Sequence, residues 1–444
     1  MAVRVSCPGT SAVYTIDGVP VFEKTALGNG IRVVTAPMPQ VGSVACFVML
    51  AAGSRYETPE SKVIAHFSEH MFFKGTERRP TARDIGTEVD GIGGEFNAFT
   101  GKEYTGYYVR CAGEHRSIAL DVLVDMLRHS KFDPEEIDRE KGVIVEEMNM
   151  YFDTPRDYIS GVYDSLLYGD QPLGWDIIGR KETVRGATRD TFLGYVDRWY
   201  KPKRMVVGVA GQIRGDLEAE VEKLLGDLEP AETGAPDPAA LTANGQPRVK
   251  IHTKTSDQAH LCLGVPSYPL MHPDRYALQI LSTVLGTGMS SRLFTEVRER
   301  RGLAYYIYAI NHSYTDAGSL FSQAGVDIER IDEAVTTIVT ELRKIVEEPV
   351  PADEVEKART WPRGASSSRP RARTGWSCTA CGVRSSRARW SSPKRCWPSS
   401  TPSPWRTCSG SRRTSSAATR STSRSSARSS RLSKNISSDS LPSS

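Results

Sequence analysis

The chain has few cysteines and no long apolar run, and both absences restrict its class. It contains 8 cysteines in 444 residues, and those before residue 360 are widely separated: Cys7, Cys46, Cys111 and Cys262. Scattered cysteines do not form a disulfide framework, and they fit a reducing compartment. No apolar run approaches the length of a membrane span, and the first thirty residues lack the features of a signal peptide or a mitochondrial presequence. We therefore expect a cytoplasmic protein without a membrane partner.

Residues 360–444 differ sharply in composition from the rest of the chain. They contain 17 Lys or Arg but a single acid, Asp439, and they lack Phe, Tyr and His. Because the whole chain carries +4 and this segment +16, the remainder carries −12. Out-of-frame translation of a GC-rich gene produces such a run of Arg, Ser, Pro, Trp, Cys and Thr. We interpret the segment as out of frame and disordered, with no nucleic-acid partner; the alternative is a basic tail that binds nucleic acid or anionic surfaces.

The pair Cys378 and Cys381 lies in this segment. A zinc knuckle needs a second ligand pair at a suitable spacing, and the segment has no histidine to contribute. We therefore assign no metal site to these two cysteines.

Residues His66-Phe67-Ser68-Glu69-His70 place two imidazoles and a carboxylate on one patch of a predicted helix. A helix turns about 100° per residue, so His66 and His70 lie one above the other and Glu69 flanks them. Zinc binds neutral imidazole nitrogens, and a catalytic site has three protein ligands plus an open position for water. The order His-x-x-Glu-His is used by the inverzincin peptidases. A third ligand is still needed, and a solvated helix surface is the alternative.

A second helix is predicted to begin at Asp133, which is a favoured N-cap residue and is followed by proline. Glu140 and Glu147 share a face of this helix, and Val143 and Ile144 lie between them on that face. Carboxylates that flank an apolar stripe should face the core, where they are rare unless paired or bound to metal. We therefore predict that these two carboxylates face a metal, with an ordinary charged helix as the alternative.

Together these motifs resemble the signature of the pitrilysin family of zinc metallopeptidases. That family includes mitochondrial processing peptidase, and the chain is similar to the bacterial relatives of its beta subunit. The resemblance runs from about residue 25 to about residue 358. Three further segments also match the family pattern: Gly53-Ser54-Arg55-Tyr56-Glu57, Met71-Phe72-Phe73-Lys74-Gly75-Thr76 and Gly93-Gly94-Glu95-Phe96-Asn97-Ala98-Phe99-Thr100.

The resemblance implies a role for each of the polar residues. His66, His70 and Glu147 would be the ligands of Zn²⁺, Glu69 the general base, and Glu140 an acidic residue close to the metal. The chemistry fits, because zinc acidifies its bound water and polarises a peptide carbonyl, while a neighbouring carboxylate transfers the proton to the leaving amine.

A peptide substrate is expected at a predicted hairpin formed by residues 93–100 and 104–110. In the family an edge strand of this kind accepts the peptide as an added β-strand, with Asn97, Ala98 and Phe99 at the contact. This mode gives affinity through main-chain hydrogen bonds and makes loose sequence demands. An ordinary hairpin is the alternative.

The resemblance also assigns a role to Arg298 and Tyr305, which lie seven residues apart. In the family such a pair reaches from the second domain to the substrate carbonyl and the transition state. A guanidinium and a phenol are suitable donors to a developing oxyanion. Without the family, the segment would be a basic helix end followed by a strand.

Strands and helices follow each other in a similar order in the two halves of the chain. This order predicts an α+β protein with two homologous sandwich domains, each a mostly antiparallel sheet covered by helices. The predicted segments are a zinc-binding peptidase domain at 1–225, a linker at 226–247, an incomplete peptidase-like domain at 248–359 and the tail at 360–444.

The second domain is predicted to lack its ending. By analogy with residues 158–210 of the first half, it loses its last helices and its closing strand, although its first strand is expected at residues 249–251. A domain without that part of its core is expected to pack poorly.

Two residues near the histidines depart from the family pattern. Ser68 stands where a large apolar residue is usual, points away from the metal and would leave a packing gap. Val63 stands where glycine is frequent, and a β-branched residue is strained there if the backbone needs a positive φ.

We therefore expect a zinc-dependent metalloendopeptidase that hydrolyses peptide bonds in extended peptides or unfolded segments. Members of the family often form dimers or two-domain clamps, so a homodimer is one expected assembly. The alternative is an inactive or non-catalytic peptidase-like subunit, because the C-terminal domain is incomplete.

Overall fold

A computed structural model describes residues 3–6, 12–16, 19–241 and 248–368. The segment 369–444, including Cys378 and Cys381, lies outside the described residues. Within the described ranges, no helix is both long enough and apolar enough to cross a bilayer.

An eight-stranded sheet forms the centre of the first domain. Its strands are β1 Val3–Ser6, β2 Ala12–Ile16, β3 Val19–Ala26, β4 Arg32–Pro37, β5 Ser43–Leu50, β6 Glu95–Thr100, β7 Thr105–Ala112 and β8 Met205–Gly211. Their order across the sheet is β1-β2-β3-β4-β8-β5-β7-β6, and every pair is antiparallel except β4 and β8. Strand β6 therefore lies at one edge of the sheet.

Eight helices accompany this sheet in the described part of the first domain. They are α1 Ile64–Met71, α2 Ala82–Gly91, α3 Arg116–His129, α4 Pro134–Asp153, α5 Pro155–Tyr168, α6 Lys181–Gly186, α7 Arg189–Trp199 and α8 Leu217–Leu225. Alternate residues of β5 are buried, as period-two side-chain alternation requires. Val48 of β5 and Phe67 of α1 belong to the same apolar core, so the helix that carries the two histidines is packed against the sheet.

The second domain has a smaller sheet with its own apolar core. It contains β9 Ala259–Pro266, β10 Ala304–Ser313 and β11 Gly318–Val326 in the order β10-β11-β9, all antiparallel. Its helices are α9 Arg275–Gly286, α10 Ile331–Glu347 and α11 Ala352–Ser368, with a π-helical turn at Phe294–Glu299. Leu285, Ile338 and Ala358 meet in the core of this domain. The predicted α+β class with mostly antiparallel sheets is confirmed.

The two sheets correspond up to the strand that closes the first one. The series β5, β6, β7 of the first domain is matched by β9, β10, β11, but β5 also pairs with β8. Among the described residues no strand pairs with the equivalent edge of β9. The expected strand at residues 249–251 is absent, so that prediction is wrong, and Val249 and Ile251 are 81% and 82% exposed. In the first sheet, β4 pairs with β8. Residues 249–251 were expected to be the equivalent of β4, but among the described residues the second domain has no equivalent of β8 with which they could pair.

Candidate metal centre

Helix α1 brings His66 and His70 together on its partly exposed side. Their Nε2 atoms are 3.2 Å apart and their rings are 4.6 Å apart. The opposite side, with Phe67 and Met71, is buried in the main core. Because that apolar side anchors the helix, the two imidazoles have a fixed direction.

Helix α4 supplies a carboxylate to the same point. Its start is as predicted: Asp133 is the N-cap and its side chain accepts a hydrogen bond of 2.9 Å from the Glu135 N–H. Glu147 lies two helical turns before the end, with Oε1 3.6 Å from His66 Nε2 and Oε2 3.5 Å from His70 Nε2. Within the described ranges, His66, His70 and Glu147 are the one group of three His, Cys, Asp or Glu residues whose donor atoms converge this closely.

The donor set and its spacing fit a zinc ion. Two imidazole nitrogens and a carboxylate oxygen are common zinc ligands, with bonds of about 2.0–2.2 Å. Such bonds in a tetrahedral arrangement place the ligand atoms about 3.4 Å from one another. The two Nε2 atoms are 3.2 Å apart, and each lies 3.5–3.6 Å from a different oxygen of Glu147, so the donor groups are close to that spacing.

Glu140 lies behind His70 and not among the converging donors. Its buried carboxylate is 2.9 Å from His70 Nδ1 through one oxygen and 2.5 Å from Lys74 Nζ through the other. A contact at Nδ1 leaves Nε2 of the same ring free to bind a cation, as carboxylate–histidine pairs do around many metals. The sequence predicted that Val143 and Ile144 both lie on the core-facing side of α4. Ile144 is buried, but Val143 is 52% exposed, so the prediction is wrong for Val143.

Glu69 is held beside the histidines by the end of β6. Thr100 Oγ1 donates a hydrogen bond to Glu69 Oε2. Burial raises the pKa of the Glu69 carboxyl above its usual range, although the Thr100 hydrogen bond and the nearby His70 oppose this shift. A carboxyl with a raised pKa is suited to accept and then release a proton near neutral pH. The contribution of Thr100 was not predicted from the sequence; its signal was the inward position at the end of the strand.

The two histidines differ in their proton affinity. Burial and the neighbouring His70 lower the pKa of His66 to about 3, so its ring is neutral at physiological pH. Burial also acts to lower the pKa of His70, but the hydrogen bond with Glu140 and the surrounding carboxylates outweigh it and raise the pKa. Carboxylates that favour a positive charge on this ring also favour a cation beside it.

The backbone at the start of α1 is unusual. Val63 has φ of 94°, in the left-handed region, so the strain expected for a β-branched residue is present. No side chain of the helix caps this end; instead Glu57 accepts hydrogen bonds from the N–H groups of Val63 and Ala65, at 3.1 and 2.8 Å. Ser68 is fully buried, and its Oγ has no hydrogen-bond partner among the described residues.

The predicted substrate residues Asn97, Ala98 and Phe99 lie in the middle of β6. The strand pairs with β7 on one side and with no described strand on the other. Asn97 is exposed, and its Oδ1 accepts a 2.8 Å hydrogen bond from the Ala98 N–H. The edge is thus open to an added strand.

Arg298 and Tyr305 lie in the second domain, near each other. The Arg298 guanidinium is 4.8 Å from the Phe294 ring and 5.6 Å from the Tyr305 ring. Tyr305 is the second residue of β10 and is 72% exposed. Across the described ranges, neither residue forms a hydrogen bond or an ion pair with the converging donors.

The chain belongs to peptidase family M16. The family model "Insulinase (Peptidase family M16)" matches residues 32–181, and the model "Peptidase M16 inactive domain" matches residues 186–360. The chain is 40% identical to the uncharacterized zinc protease YmxG of Bacillus subtilis over 343 residues, which is 76% of this chain and 81% of that one. It is 36% identical to an uncharacterized zinc protease of Streptomyces coelicolor over 347 residues, which is 77% of this chain and 75% of that one.

Solved structures show the same fold. A protease from Helicobacter pylori superposes with a TM-score of 0.72 at 23% identity, covering 78% of this chain and 85% of that chain. The peptidase M16 inactive domain from Pseudomonas fluorescens superposes with a TM-score of 0.72 at 19% identity, covering 79% of this chain and 84% of that chain. The family models and the two zinc protease relatives confirm the resemblance to the pitrilysin family.

Proposed function

We propose that the protein is a zinc-dependent metalloendopeptidase whose metal is held by His66, His70 and Glu147. The observation that carries the proposal is the convergence of their donor atoms at 3.2–3.6 Å. The two relatives are named as zinc proteases, which supports the same metal and reaction class. When bound, a zinc ion would polarise the scissile carbonyl and acidify a water molecule.

Glu69 is the proposed general base. Its carboxylate takes a proton from the attacking water and delivers it to the leaving amine nitrogen. Thr100 holds one carboxylate oxygen, which leaves the other for the water. Glu140 orients the His70 ring through Nδ1, so that Nε2 would be available to hold the metal.

The substrate is proposed to be an extended peptide that adds to the open edge of β6. Its main chain would pair with the segment Asn97, Ala98 and Phe99, and would replace the Asn97 side chain at the Ala98 N–H. We propose Arg298 and Tyr305 as donors to the substrate carbonyl, and the exposure of Tyr305 supports an accessible hydroxyl. Since main-chain pairing ignores side chains, unfolded segments of varied sequence are the expected substrates.

The substitution Glu69→Gln tests the base. We expect the variant to retain about one zinc per chain and to lose about 10²–10⁴-fold in cleavage of an unfolded peptide, which is the usual contribution of a general base. Glu146→Gln, one residue before Glu147 on the exposed side of α4, is the matched control and should cleave normally. Cleavage retained in Glu69→Gln would contradict the assignment.

A second candidate function is a zinc-binding but non-cleaving subunit. The exposure of Val249 and Ile251 favours it, because the second domain lacks a closing strand in its described part. The two candidates differ in one measurement: a wild-type chain that carries zinc but cleaves no faster than Glu69→Gln is a non-catalytic subunit.

A further inference from the structure

A partly buried ion cluster joins the second domain to the substrate hairpin of the first, and the side chain of its Asp316 is 36% exposed. Arg55, whose side chain is 2% exposed, donates to both oxygens of Asp316, each at 2.6 Å, and to Glu103 Oε1 at 2.6 Å. Glu103 lies in the turn between β6 and β7, whereas Asp316 lies in the turn between β10 and β11. A bidentate contact between an arginine and a carboxylate fixes the orientation of the two side chains as well as their distance. We call these three residues the domain latch.

The turn that carries Asp316 is held at further points. Thr315 donates to Glu103 through its backbone N–H, at 3.1 and 3.0 Å, and through Oγ1, at 2.6 Å. Asp316 Oδ2 also accepts from the Ala239 N–H of the linker, at 2.8 Å. The second-domain turn therefore binds the substrate hairpin directly.

The segment that contains Arg55 also reaches the metal helix. The N–H groups of Ser54 and Arg55 donate to the carbonyls of Gly101 and Lys102, at 3.2 and 2.8 Å, immediately after β6. A Cβ placed on Gly53 would lie 2.3 Å from the Gly101 oxygen, so the two backbones are in close contact. Two residues beyond Arg55, Glu57 caps the start of α1.

One short segment, residues 53–57, thus contacts the second domain, the end of β6 and the metal helix. We infer that Asp316 is a positioning residue for the site: by binding Arg55, it fixes the β6–β7 turn and so the edge that receives the peptide. Residues 53–57 also hydrogen-bond Gly101, which follows Thr100, and Thr100 binds the Glu69 carboxylate. A cluster that only joined the two domains would not require this contact with the end of β6. This inference deepens the proposed function and rests on it for its kinetic consequence.

The first test does not depend on activity. In the full chain, Asp316→Asn should accelerate amide hydrogen exchange in residues 95–104 by about tenfold and leave α7 unchanged, because the turn loses its external support. Glu220→Gln, which removes the partner of the partly buried Arg116 elsewhere in the first domain, is the matched control and should leave residues 95–104 as in wild type. Acceleration confined to residues 313–318, or equal acceleration in the control, would overturn the inference.

The second test is kinetic. Asp316→Asn should raise the KM for an unfolded peptide by about tenfold, keep kcat within about twofold and keep the zinc content, because the peptide edge is disturbed and the chemical groups are not. Asp316→Glu keeps the carboxylate, so its KM should lie between that of wild type and that of Asp316→Asn. A variant that loses zinc and kcat at unchanged KM would refute a positioning role. If wild-type protein cleaves no peptide, the proposed function fails, while the exchange experiment still decides whether the latch holds the hairpin.

Discussion

Gly179 should tolerate no side chain, because it lies against Val63, the residue immediately before the metal helix. It has φ of +71°, and a Cβ placed on it would lie 2.4 Å from the Cβ of Val63. The left-handed backbone costs an alanine about 1–2 kcal/mol, and the forced contact adds about 1–3 kcal/mol of overpacking. Gly179→Ala should therefore lower the free energy of unfolding by about 2–5 kcal/mol.

The two contributions can be separated by a double-mutant cycle with Val63→Gly. In that background the opposing Cβ is removed, and the nearest remaining atoms are the Cα and N of residue 63, both at 3.0 Å. The alanine should then cost mainly the backbone strain, so the coupling between the two changes should be about 1–3 kcal/mol. Urea unfolding of the four proteins, followed by circular dichroism, measures it. Gly142→Ala is the control: it is exposed inside α4 with nothing within 4 Å of an added Cβ, and it should gain about 0.5–1 kcal/mol. An equal cost of Gly179→Ala in both backgrounds would refute the steric reasoning.

Three further outcomes are expected. Ser68→Ala should raise the free energy of unfolding by about 1 kcal/mol, because it removes a buried hydroxyl that has no partner in the described part of the chain. Ser322→Ala should lower it by a similar amount, because the Ser322 Oγ donates to a carbonyl at 3.1 Å. Urea unfolding checks both, and the opposite order would contradict the assignment. In a chain whose reading frame is restored beyond residue 360, the exposed segment 249–251 should gain protection from amide hydrogen exchange. Each apolar side chain of the segment that becomes buried should add about 1.5–3 kcal/mol to the free energy of unfolding. Unchanged exchange in this segment would argue against a missing strand. The hydrogen bond from Arg55 lowers the pKa of the Asp316 carboxyl. The stability lost in Asp316→Asn should therefore be constant above about pH 4 and should shrink as the pH falls through the folded-state pKa. Urea unfolding at stepped pH measures this difference, and a difference that grows in acid would exclude the ion pair as its cause.

Local sequence patterns predicted much of the fold. The helix with His66 and His70, the cap at Asp133 and the hairpin around Asn97 depend on residues close in sequence, and all three elements are present. The left-handed backbone at Val63 followed from the preference for glycine at that position in the family. The helix, the cap and the hairpin are encoded by residues close in sequence, so a single sequence suffices to find them, whereas the conformation at Val63 was expected from the family pattern.

Contacts between distant segments could not be predicted in this way. Arg55 and Asp316 are 261 residues apart, and no local pattern pairs them. Thr100 and Glu69 meet only because β6 pairs beside α1, and Val143 is exposed because the neighbours of α4 cover a narrower face than its periodicity suggests. The residues that bind the site together are therefore less visible in the sequence than the donors themselves.

Zinc stoichiometry tests the central claim most directly. Metal analysis of the purified full chain should find about one zinc per wild-type molecule, as three protein ligands require. The same analysis should find the zinc lost in Glu147→Gln and retained in Glu146→Gln, whose carboxylate is exposed on the same helix. A wild-type chain without zinc, or a Glu147→Gln chain that keeps it, would contradict the metal centre formed by His66, His70 and Glu147.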